Sequence, residues 1–254
     1  MFGLKKQRRD QLRSRPFPSA WLGHLQRNVT CYPRLSFADR RELQGHIQVF
    51  IAEKNFEGCG GLVLTDEIKV TVAAYACLLL LHRPHDYYPR LQSVLVYPEA
   101  YAVPVERPGP GPLVTEGEEV RFGESWQSGA VVVSWNPLFH RPTDPEPGRN
   151  IILHEFAHQV DQENGFTDGA PPLARGSEYA AWARILGREY EALARAAAEG
   201  RPTVLDAYGA TNPAEFFAVA TESFFENPQE LRDHHPELYE ALKGFYRQDP
   251  AGRS

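Results

Sequence analysis

Residues 154 to 158 read HEFAH, and their types and spacing suit the binding of a metal ion. On an α-helix, positions four apart lie on the same face, so His154 and His158 can offer two imidazole nitrogens to one ion. The carboxylate of Glu155 can then take a proton from a water held at that ion. This HExxH pattern indicates a zinc hydrolase. The alternative interpretation is two solvated or capping histidines on an amphipathic helix.

The segment around the motif is itself predicted to be helical. Asn150 can cap the first turn, and the dipeptide Asn164-Gly165 is a fitting end. Apolar residues between these two signals leave one stripe of the helix to the histidines, namely Ile151, Ile152, Phe156, Ala157 and Val160. The local sequence therefore supports the helical spacing that the motif needs.

A catalytic zinc ion usually keeps three protein ligands, so one more ligand is expected downstream. The candidates are Asp161, Glu215, Glu222, His234 and His235. Asp161 is better suited to a hydrogen bond with a ligand histidine, and the two histidines, which precede a proline, suit a surface loop or a cap. The two glutamates lie seven residues apart on one predicted helix and hence on one face. Spacing leaves both open, although Glu215, in the first turn, lies nearer to any open cleft.

The runs NIILHEFAHQVDQENG and DAYGATNPAEFFAVATESFF resemble the Mlc titration factor A family of zinc peptidases. The runs LQSVLVYPEAYAV and ESWQSGAVVVSW look like the preceding segments of that family, and the resemblance covers most of residues 40 to 250. It implies a zincin-like fold, aminopeptidase action on small substrates and a cytoplasmic partner, the glucose repressor Mlc. The site residues that it implies are the zinc ligands His154, His158 and Glu215, the catalytic base Glu155, and Tyr208.

Physical arguments add roles for residues near the motif. A phenol hydroxyl fixed near an attacked carbonyl can donate to the developing oxyanion, which is the role expected of Tyr208. The alternative for Tyr208 is a ring packed in the core with its hydroxyl at the surface. We expect Asp161 and Glu222 to hydrogen-bond ligand histidines, although Glu222 could instead join a buried network. An exposed strand edge over residues 130–135 could align an extended peptide by main-chain pairing.

Composition limits the classes of protein to consider. The 254 residues, 42% hydrophobic and 24% charged, suffice for one large domain. The longest apolar stretch, residues 70–81, is shorter than the roughly 20 residues that cross a bilayer, and no export leader is recognisable. Three cysteines without CxxC spacing argue against disulfides and a thiolate zinc site and favour a reducing cytoplasm. The net charge of -6 opposes direct binding to nucleic acid.

The predicted elements combine into a single α+β, zincin-like domain over residues 36–250, with a small, mostly antiparallel sheet packed against several helices. Residues 1–35 are predicted to be a basic, partly flexible segment that is either a solvated tail or a surface for an anionic partner. Helices are predicted over 36–54, 66–81, 177–199, 214–226 and 228–246, the last with a break near Pro236; strands over 93–97 and 130–135; loops over 103–119, 136–149 and 165–176.

Three classes of function follow from these observations. The favoured one is a zinc peptidase that cleaves peptide bonds, with one Zn²⁺ per chain. The second is a regulatory protein that binds a repressor of the Mlc type and need not use its zinc site to do so. The third is a zinc hydrolase of a non-peptide amide or ester, because polarisation of a carbonyl by the metal is common to all these reactions.

Overall fold

The computed structural model describes residues 2–98, 101–108, 114–121, 123–126, 129–135 and 149–253. These residues form nine α-helices: α1 (Phe2–Ser14), α2 (Ser19–Asn28), α3 (Phe37–Glu53), α4 (Asp66–Leu78), α5 (Ile151–Asp161), α6 (Glu178–Ala198), α7 (Pro213–Glu226), α8 (Pro228–His234) and α9 (Pro236–Tyr246). They also form six strands: β1 (Asn55–Gly58), β2 (Ser93–Tyr97), β3 (Tyr101–Pro108), β4 (Val114–Arg121), β5 (Gly123–Trp126) and β6 (Ala130–Ser134). Among them, no helix is both long enough and apolar enough to cross a membrane.

The main sheet differs in strand direction from the mostly antiparallel sheet that the sequence predicts. Its order is β1-β2-β6-β5, and both β1 with β2 and β2 with β6 are parallel pairs. Only β5 pairs in the antiparallel sense, with β6. The mixture of helices and strands agrees with the α+β prediction, but the predicted direction is wrong. Helix α4 connects β1 to β2, and a crossover helix of this kind is what a parallel pair requires.

Strand β6 also does not provide the exposed edge that the sequence suggests. It lies between β2 and β5 and pairs with both of them. Its residues Val131 and Val133 are fully buried, as are Val94 and Val96 on β2. The main-chain groups of residues 130–134 are thus already engaged in the sheet, which leaves β6 unable to add a peptide strand.

The proline-containing segment 103–119 is predicted as a surface loop, and this prediction is wrong for most of its length. Strands β3 and β4 form an antiparallel ribbon with Tyr101 opposite Arg121 and Pro108 opposite Val114. Within the described part of the chain, β3 pairs with β4 alone, so half of its N–H groups need no ladder partner and prolines are tolerated there. Residues 109–113, and 136–148 of the second predicted loop, lie outside the described residues.

Most helix predictions are confirmed, some with shifted ends. Ser36 caps α3 by accepting a hydrogen bond from the N–H of Asp39 at 3.1 Å. Helix α4 ends at Leu78 instead of residue 81, and α6 begins after Ser177, whose side chain makes no capping hydrogen bond. The predicted break near Pro236 separates α8 from α9.

The basic N-terminal residues form α1 and α2, and Arg9 is not solvated as a free tail would be. The guanidinium of Arg9 binds the carboxylate of Glu53, at the end of α3, through two hydrogen bonds of 2.8 and 2.7 Å, and also pairs with Asp86. At Gly45 of α3, an added Cβ atom would lie 3.3 Å from the side chain of Arg13 in α1. Helices α1 and α3 therefore approach closely at this point. The domain boundary at residue 36 stays a prediction.

Helix α5 lies at the centre of the core. Every one of its residues from Ile152 to Asp161 is buried, and Phe156 packs edge-to-face against Phe50 and Tyr88 with ring centroids 5.7 and 5.1 Å apart. Helix α7 is buried along almost its whole length from Ala214 to Phe225. The HExxH motif is therefore carried by a rigid, closely packed element.

Candidate metal centre

The start of α5 is fixed by Asn150, as the sequence predicts, and is also tied to α7. The side-chain oxygen of Asn150 accepts from the N–H groups of Ile152 and Leu153 at 3.2 and 3.1 Å. Its own N–H donates to Glu222 at 2.6 Å, and its amide nitrogen donates to Glu226 at 2.7 Å. Asn150 thus caps one helix while it binds two carboxylates of the other.

The start of α7 places Glu215 toward the motif. Pro213 occupies the first helical turn, where its missing N–H has no cost. Asn212 caps the helix by accepting from the N–H of Glu215 at 3.0 Å. The carboxylate of Glu215 consequently projects from the first turn of α7, and it reaches the two histidines of α5.

Three ligand atoms converge between α5 and α7. Oε2 of Glu215 lies 2.9 Å from Nε2 of His154 and 3.3 Å from Nε2 of His158, and the two Nε2 atoms are 3.2 Å apart. Among the described residues, this is the one group whose ligand atoms lie close enough together to hold a metal ion. Zinc with ligands at 2.0–2.1 Å in a tetrahedron would hold them about 3.3 Å apart. The observed triangle fits such an ion.

Glu222 binds the other nitrogen of the same histidine. Its Oε1 atom lies 2.7 Å from Nδ1 of His154. A carboxylate on Nδ1 directs the lone pair of Nε2 toward the metal position, which is the usual arrangement around a ligand histidine. The two glutamates that spacing could not separate therefore bind opposite sides of one imidazole.

The electrostatics of the cluster favour a positive charge at its centre. Burial lowers the pKa of His154, but Glu222 and Glu215 outweigh burial and raise this pKa well above its ordinary value. Burial raises the pKa of Glu215, yet hydrogen bonds from His154 and His158 lower it well below its ordinary range. Without a metal, a proton on His154 supplies the charge that these carboxylates require. A divalent cation would supply it equally well, so the donor set fits a metal ion electrostatically.

Asp161 is fully buried, but it makes a different contact from the predicted one. Its Oδ2 atom accepts from the N–H of Gly169 at 2.8 Å, and among the described residues no hydrogen bond joins it to His154 or His158. Burial raises the pKa of Asp161 to about 6. Gly169 has φ of +78°, and a side chain there would collide with the carbonyl oxygen of Pro213. Asp161 therefore holds the loop that presses on the first turn of α7.

Tyr208 lies at the mouth of the cluster. It sits in the 3-10 turn Ala207–Ala210, is 49% exposed, and its ring centroid is 5.9 Å from that of His154. Asp206 accepts from the N–H of Tyr208 at 2.8 Å and pairs with Arg149 at 2.7 Å. Because Arg149 immediately precedes the cap of α5, the turn that carries Tyr208 is linked to the start of the motif helix.

The remaining two candidate ligands lie elsewhere. His234 ends α8 and is exposed, while His235 separates α8 from α9 and binds Glu189 of α6 at 2.8 Å. Neither belongs to the metal-binding group. This placement agrees with the capping or loop position that the following proline suggests.

Sequence reasoning missed the residues that connect the site to its surroundings. Glu226 stands four residues after Glu222 and so on the same face of α7, a signal that could have identified it as a partner of Asn150. The ion pair of Arg149 with Asp206 joins residues far apart in sequence, and no local pattern announces it. Gly169 has the left-handed conformation that glycine favours, but its position against α7 follows only from the tertiary structure.

Comparisons with known proteins agree with these features. The model of the glucose-regulated metallo-peptidase M90 family matches residues 4–247. The uncharacterized protein slr2042 of Synechocystis sp. is 42% identical over 244 residues, which cover 96% of this chain and 89% of that protein. Mlc titration factor A of Yersinia pestis is 30% identical over 231 residues, which cover 89% of this chain and 84% of the relative.

The family match bears directly on two predictions. It confirms the resemblance to Mlc titration factor A, and it begins at residue 4, so it extends further toward the N-terminus than the segment from residue 40. The description of the family as a metallo-peptidase implies a bound metal, in agreement with the cluster on α5 and α7. The chain belongs to the glucose-regulated metallo-peptidase M90 family.

Proposed function

We propose that the chain is a zinc-dependent peptidase of the aminopeptidase type, with a zincin-like arrangement of its active site. The observation that carries the proposal is the convergence of Nε2 of His154, Nε2 of His158 and Oε2 of Glu215 within 3.3 Å of one another. Two imidazoles and one carboxylate are the ligand set of a common class of catalytic zinc sites. In this proposal the three residues hold the ion.

The chemistry that zinc supplies when bound is Lewis acidity, which polarises a carbonyl and makes a water more acidic. The proposed base is Glu155, which is 3% exposed and adjacent to His154 on α5. Its carboxylate takes the proton from the attacking water and later delivers it to the leaving nitrogen. A positioned general base of this kind contributes about 10²- to 10⁴-fold to a rate.

The proposed oxyanion donor is Tyr208. Its half-exposed ring lies beside His154, so its hydroxyl is accessible to a substrate that enters from solvent. Donation to the oxygen that becomes negative typically contributes about 3 kcal/mol to the stabilisation of the transition state. Glu222 acts as a positioning residue because it orients the imidazole of His154. Asp161 contributes indirectly, because it binds the N–H of Gly169 in the loop that packs against the first turn of α7.

The peptidase proposal is tested by turnover of fluorogenic aminoacyl and peptide substrates with zinc-loaded protein. Glu155→Gln should keep its zinc, measured by atomic absorption, yet lose at least about 100-fold in turnover. The matched control is Glu191→Gln on α6, where the carboxylate is 71% exposed, and it should behave as the wild type. A chelator should abolish turnover, and zinc should restore it.

Two outcomes would contradict this mechanism. One is turnover retained by metal-loaded Glu155→Gln, since no other group in the proposal takes the proton. The other is a wild type that cleaves no aminoacyl or peptide substrate. Ester and non-peptide amide substrates included in the same panel then decide whether the site is a hydrolase of another class, because these share the polarised carbonyl.

The second proposed function is binding of a transcriptional repressor of the Mlc type. It is supported by the name of the relative that is 30% identical over 89% of this chain, Mlc titration factor A. A repressor partner would place the protein in the cytoplasm, and the three cysteines, all free, are in keeping with a reducing compartment. Proposed partners are thus a peptide substrate and a repressor, without direct contact to nucleic acid.

A pull-down with purified Mlc-type repressor tests the binding function separately from catalysis. The wild type and His154→Ala are compared, with both proteins checked for folding by circular dichroism. We expect both to capture the repressor, because a protein surface and not the metal would form the contact. Loss of capture by His154→Ala alone would tie binding to the metal site, and absence of capture by either protein would exclude the partner.

A further inference from the structure

A pocket lies apart from the metal centre, between α6, α9 and the loops that follow α4 and α5. Its volume is about 610 Å³, and none of its lining residues belongs to the metal cluster. Trp182 and Ile185 of α6 and Phe245 of α9 form apolar walls, with the rings of Trp182 and Phe245 5.3 Å apart. Pockets of this size and polarity are typical of sites for small molecules.

Glu163 is a polar group in this pocket that the protein does not satisfy. It follows α5 directly, in the 3-10 turn Gln162–Asn164. Its Oε1 atom is buried and, among the described residues, has no hydrogen-bond partner. Burial raises the pKa of the Glu163 carboxyl. A carboxylate in a largely buried position is costly without an opposite charge beside it, so Glu163 favours a cationic group in the pocket that it lines.

Arg83 brings a positive charge to the same pocket, and this charge lowers the pKa of Glu163 against the larger effect of burial. Its guanidinium lies over the ring of Phe245, 4.1 Å from the centroid, and donates one long hydrogen bond of 3.4 Å to the carbonyl of Leu79. Within the described part of the chain, no ion pair joins Arg83 to Glu163, although both line the cavity. Opposite charges held apart beside an apolar wall match a ligand that carries both charges itself.

We propose that this pocket binds a small zwitterion of the amino-acid class with an apolar side chain. The carboxylate of the ligand binds the guanidinium of Arg83, whose planar fork suits a carboxylate. The ammonium group of the ligand pairs with the carboxylate of Glu163. The side chain packs between Trp182 and Phe245. The volume exceeds that of one amino acid and also admits a dipeptide.

Hydrogen bonds connect the pocket to Asp161 at the C-terminal end of α5, the helix that also carries His154 and His158. The indole nitrogen of Trp182 donates to the carbonyl of Gly169 at 3.0 Å, and the N–H of Gly169 donates to Asp161 of α5 at 2.8 Å. A ligand packed on Trp182 would thus contact the residue whose indole binds Gly169, in the loop that lies against α7. The binding proposal itself does not depend on peptidase activity.

Isothermal titration calorimetry with L-phenylalanine tests the proposal. The wild type should bind, and Glu163→Gln should bind at least about tenfold more weakly because one charge-assisted hydrogen bond is lost. The matched control is Glu240→Gln at the rim of the same pocket, where the side chain is 64% exposed, and its affinity should be unchanged. Arg83→Gln should also weaken binding, by removing the partner of the carboxylate.

Two modified ligands and one variant of the metal site complete the test. N-acetylphenylalanine lacks the ammonium group and phenylalanine amide lacks the carboxylate, so both should bind at least about tenfold more weakly than phenylalanine. His158→Ala should bind phenylalanine as the wild type does, because this histidine does not line the pocket. Phenylalanine bound at the metal centre instead would lose affinity in this variant. Binding that disappears in His158→Ala, persists unchanged in Glu163→Gln, or is absent from the wild type would overturn the proposal.

Discussion

The two ends of helix α5 differ in whether carboxylates of α7 bind their side chains. At the N-terminal end, Asn150 makes hydrogen bonds to both helices, and each imidazole nitrogen of His154 meets a carboxylate of α7. At the C-terminal end and just beyond it, Nδ1 of His158, Oδ1 of Asp161 and Oε1 of Glu163 have no hydrogen-bond partner among the described residues. Both ends are buried in the same core.

This difference shows two ways of positioning a functional helix. Side chains of α7 hold the N-terminal end, so the orientation of His154 is set before any ligand arrives. At the C-terminal end, a main-chain group takes the place of a carboxylate: the N–H of Gly169 donates to Asp161. Buried polar atoms without a protein partner are costly unless a water or another group from outside the chain pairs with them. Substitutions at each end can therefore show how much each kind of contact contributes to stability and to metal affinity.

The largest effect is expected from Gly169→Ala, which disturbs the hydrogen bond between Gly169 and Asp161 at the C-terminal end of α5. A methyl group would force φ of +78° on an L-residue and collide with the carbonyl of Pro213. Left-handed backbone and overpacking together should lower the free energy of unfolding by about 3 kcal/mol. Urea denaturation of the metal-free protein measures this loss.

The control for that substitution is Gly187→Ala in the middle of α6, where an added methyl meets no atom within 4 Å. It should raise stability by up to about 1 kcal/mol, because alanine favours helix over glycine. If Gly169→Ala unfolds at the same urea concentration as the wild type, the C-terminal end of α5 does not depend on this loop.

The next largest effect is expected from Glu222→Ala at the N-terminal end. The substitution leaves Nδ1 of His154 and the N–H of Asn150 without their carboxylate. Loss of such a partner typically costs 10- to 100-fold in metal affinity, which competition with a chromophoric zinc chelator measures. Glu230→Ala, an exposed residue of α8, is the control and should keep the affinity of the wild type. Equal zinc affinity in both variants would mean that α7 does not orient the histidine.

These two ends also differ in how much of them the sequence predicts. The cap at Asn150 and the i, i+4 pair His154 and His158 are local patterns, and the structure contains the helix they require. Spacing cannot rank Glu215 and Glu222, because residues seven apart share a face of α7. Only the approach of α7 to α5 separates them, one at Nε2 of His154 and the other at Nδ1.

The sheet shows the same limit at the level of the fold. The valine-rich runs predict strands at β2 and β6, and both are present. Alternation of residues indicates which faces of a strand are buried, but it is silent about the direction of the neighbouring strand. One parallel pair involves β1, a short strand before α4 that the sequence analysis missed, and the other joins the two predicted strands, β2 and β6. Prolines likewise suggested a loop where β3 and β4 form a ribbon.

A smaller effect, dependent on pH, is expected from Asp161→Asn at the C-terminal end. Burial raises the pKa of Asp161 from 3.8 to about 6, so the fold favours the protonated carboxyl. The free energy of unfolding of the wild type should therefore fall, through this group, as the pH rises from about 4 to about 6. Asparagine has no charge to bury, so the difference in stability between variant and wild type should grow over this interval and then level off.

Urea denaturation of both proteins between pH 4 and pH 8 measures that difference, which should shift in favour of asparagine as the pH rises to about 6 and stay constant above it. Asp10→Asn, on the exposed side of α1, is the control and should show a constant difference. A difference between Asp161→Asn and the wild type that shrinks with rising pH would mean that the fold favours the charged carboxylate.

The smallest effect is expected from Asp206→Asn. This substitution tests whether the ion pair between Asp206 and Arg149 helps to position Tyr208 relative to the N-terminal end of α5. Asparagine can still cap the turn, so the change removes only the charge that pairs with Arg149, whose side chain is 48% exposed. Exposed ion pairs contribute at most about 1 kcal/mol, so kcat should fall by less than about fivefold while zinc affinity stays constant. Arg149→Gln should give the same fall, and the double variant should be no slower than either, because both substitutions break one contact. Additive losses in the double variant would show that the two residues act on Tyr208 separately. The contacts that position the N-terminal end of α5 would then extend no further than Asn150.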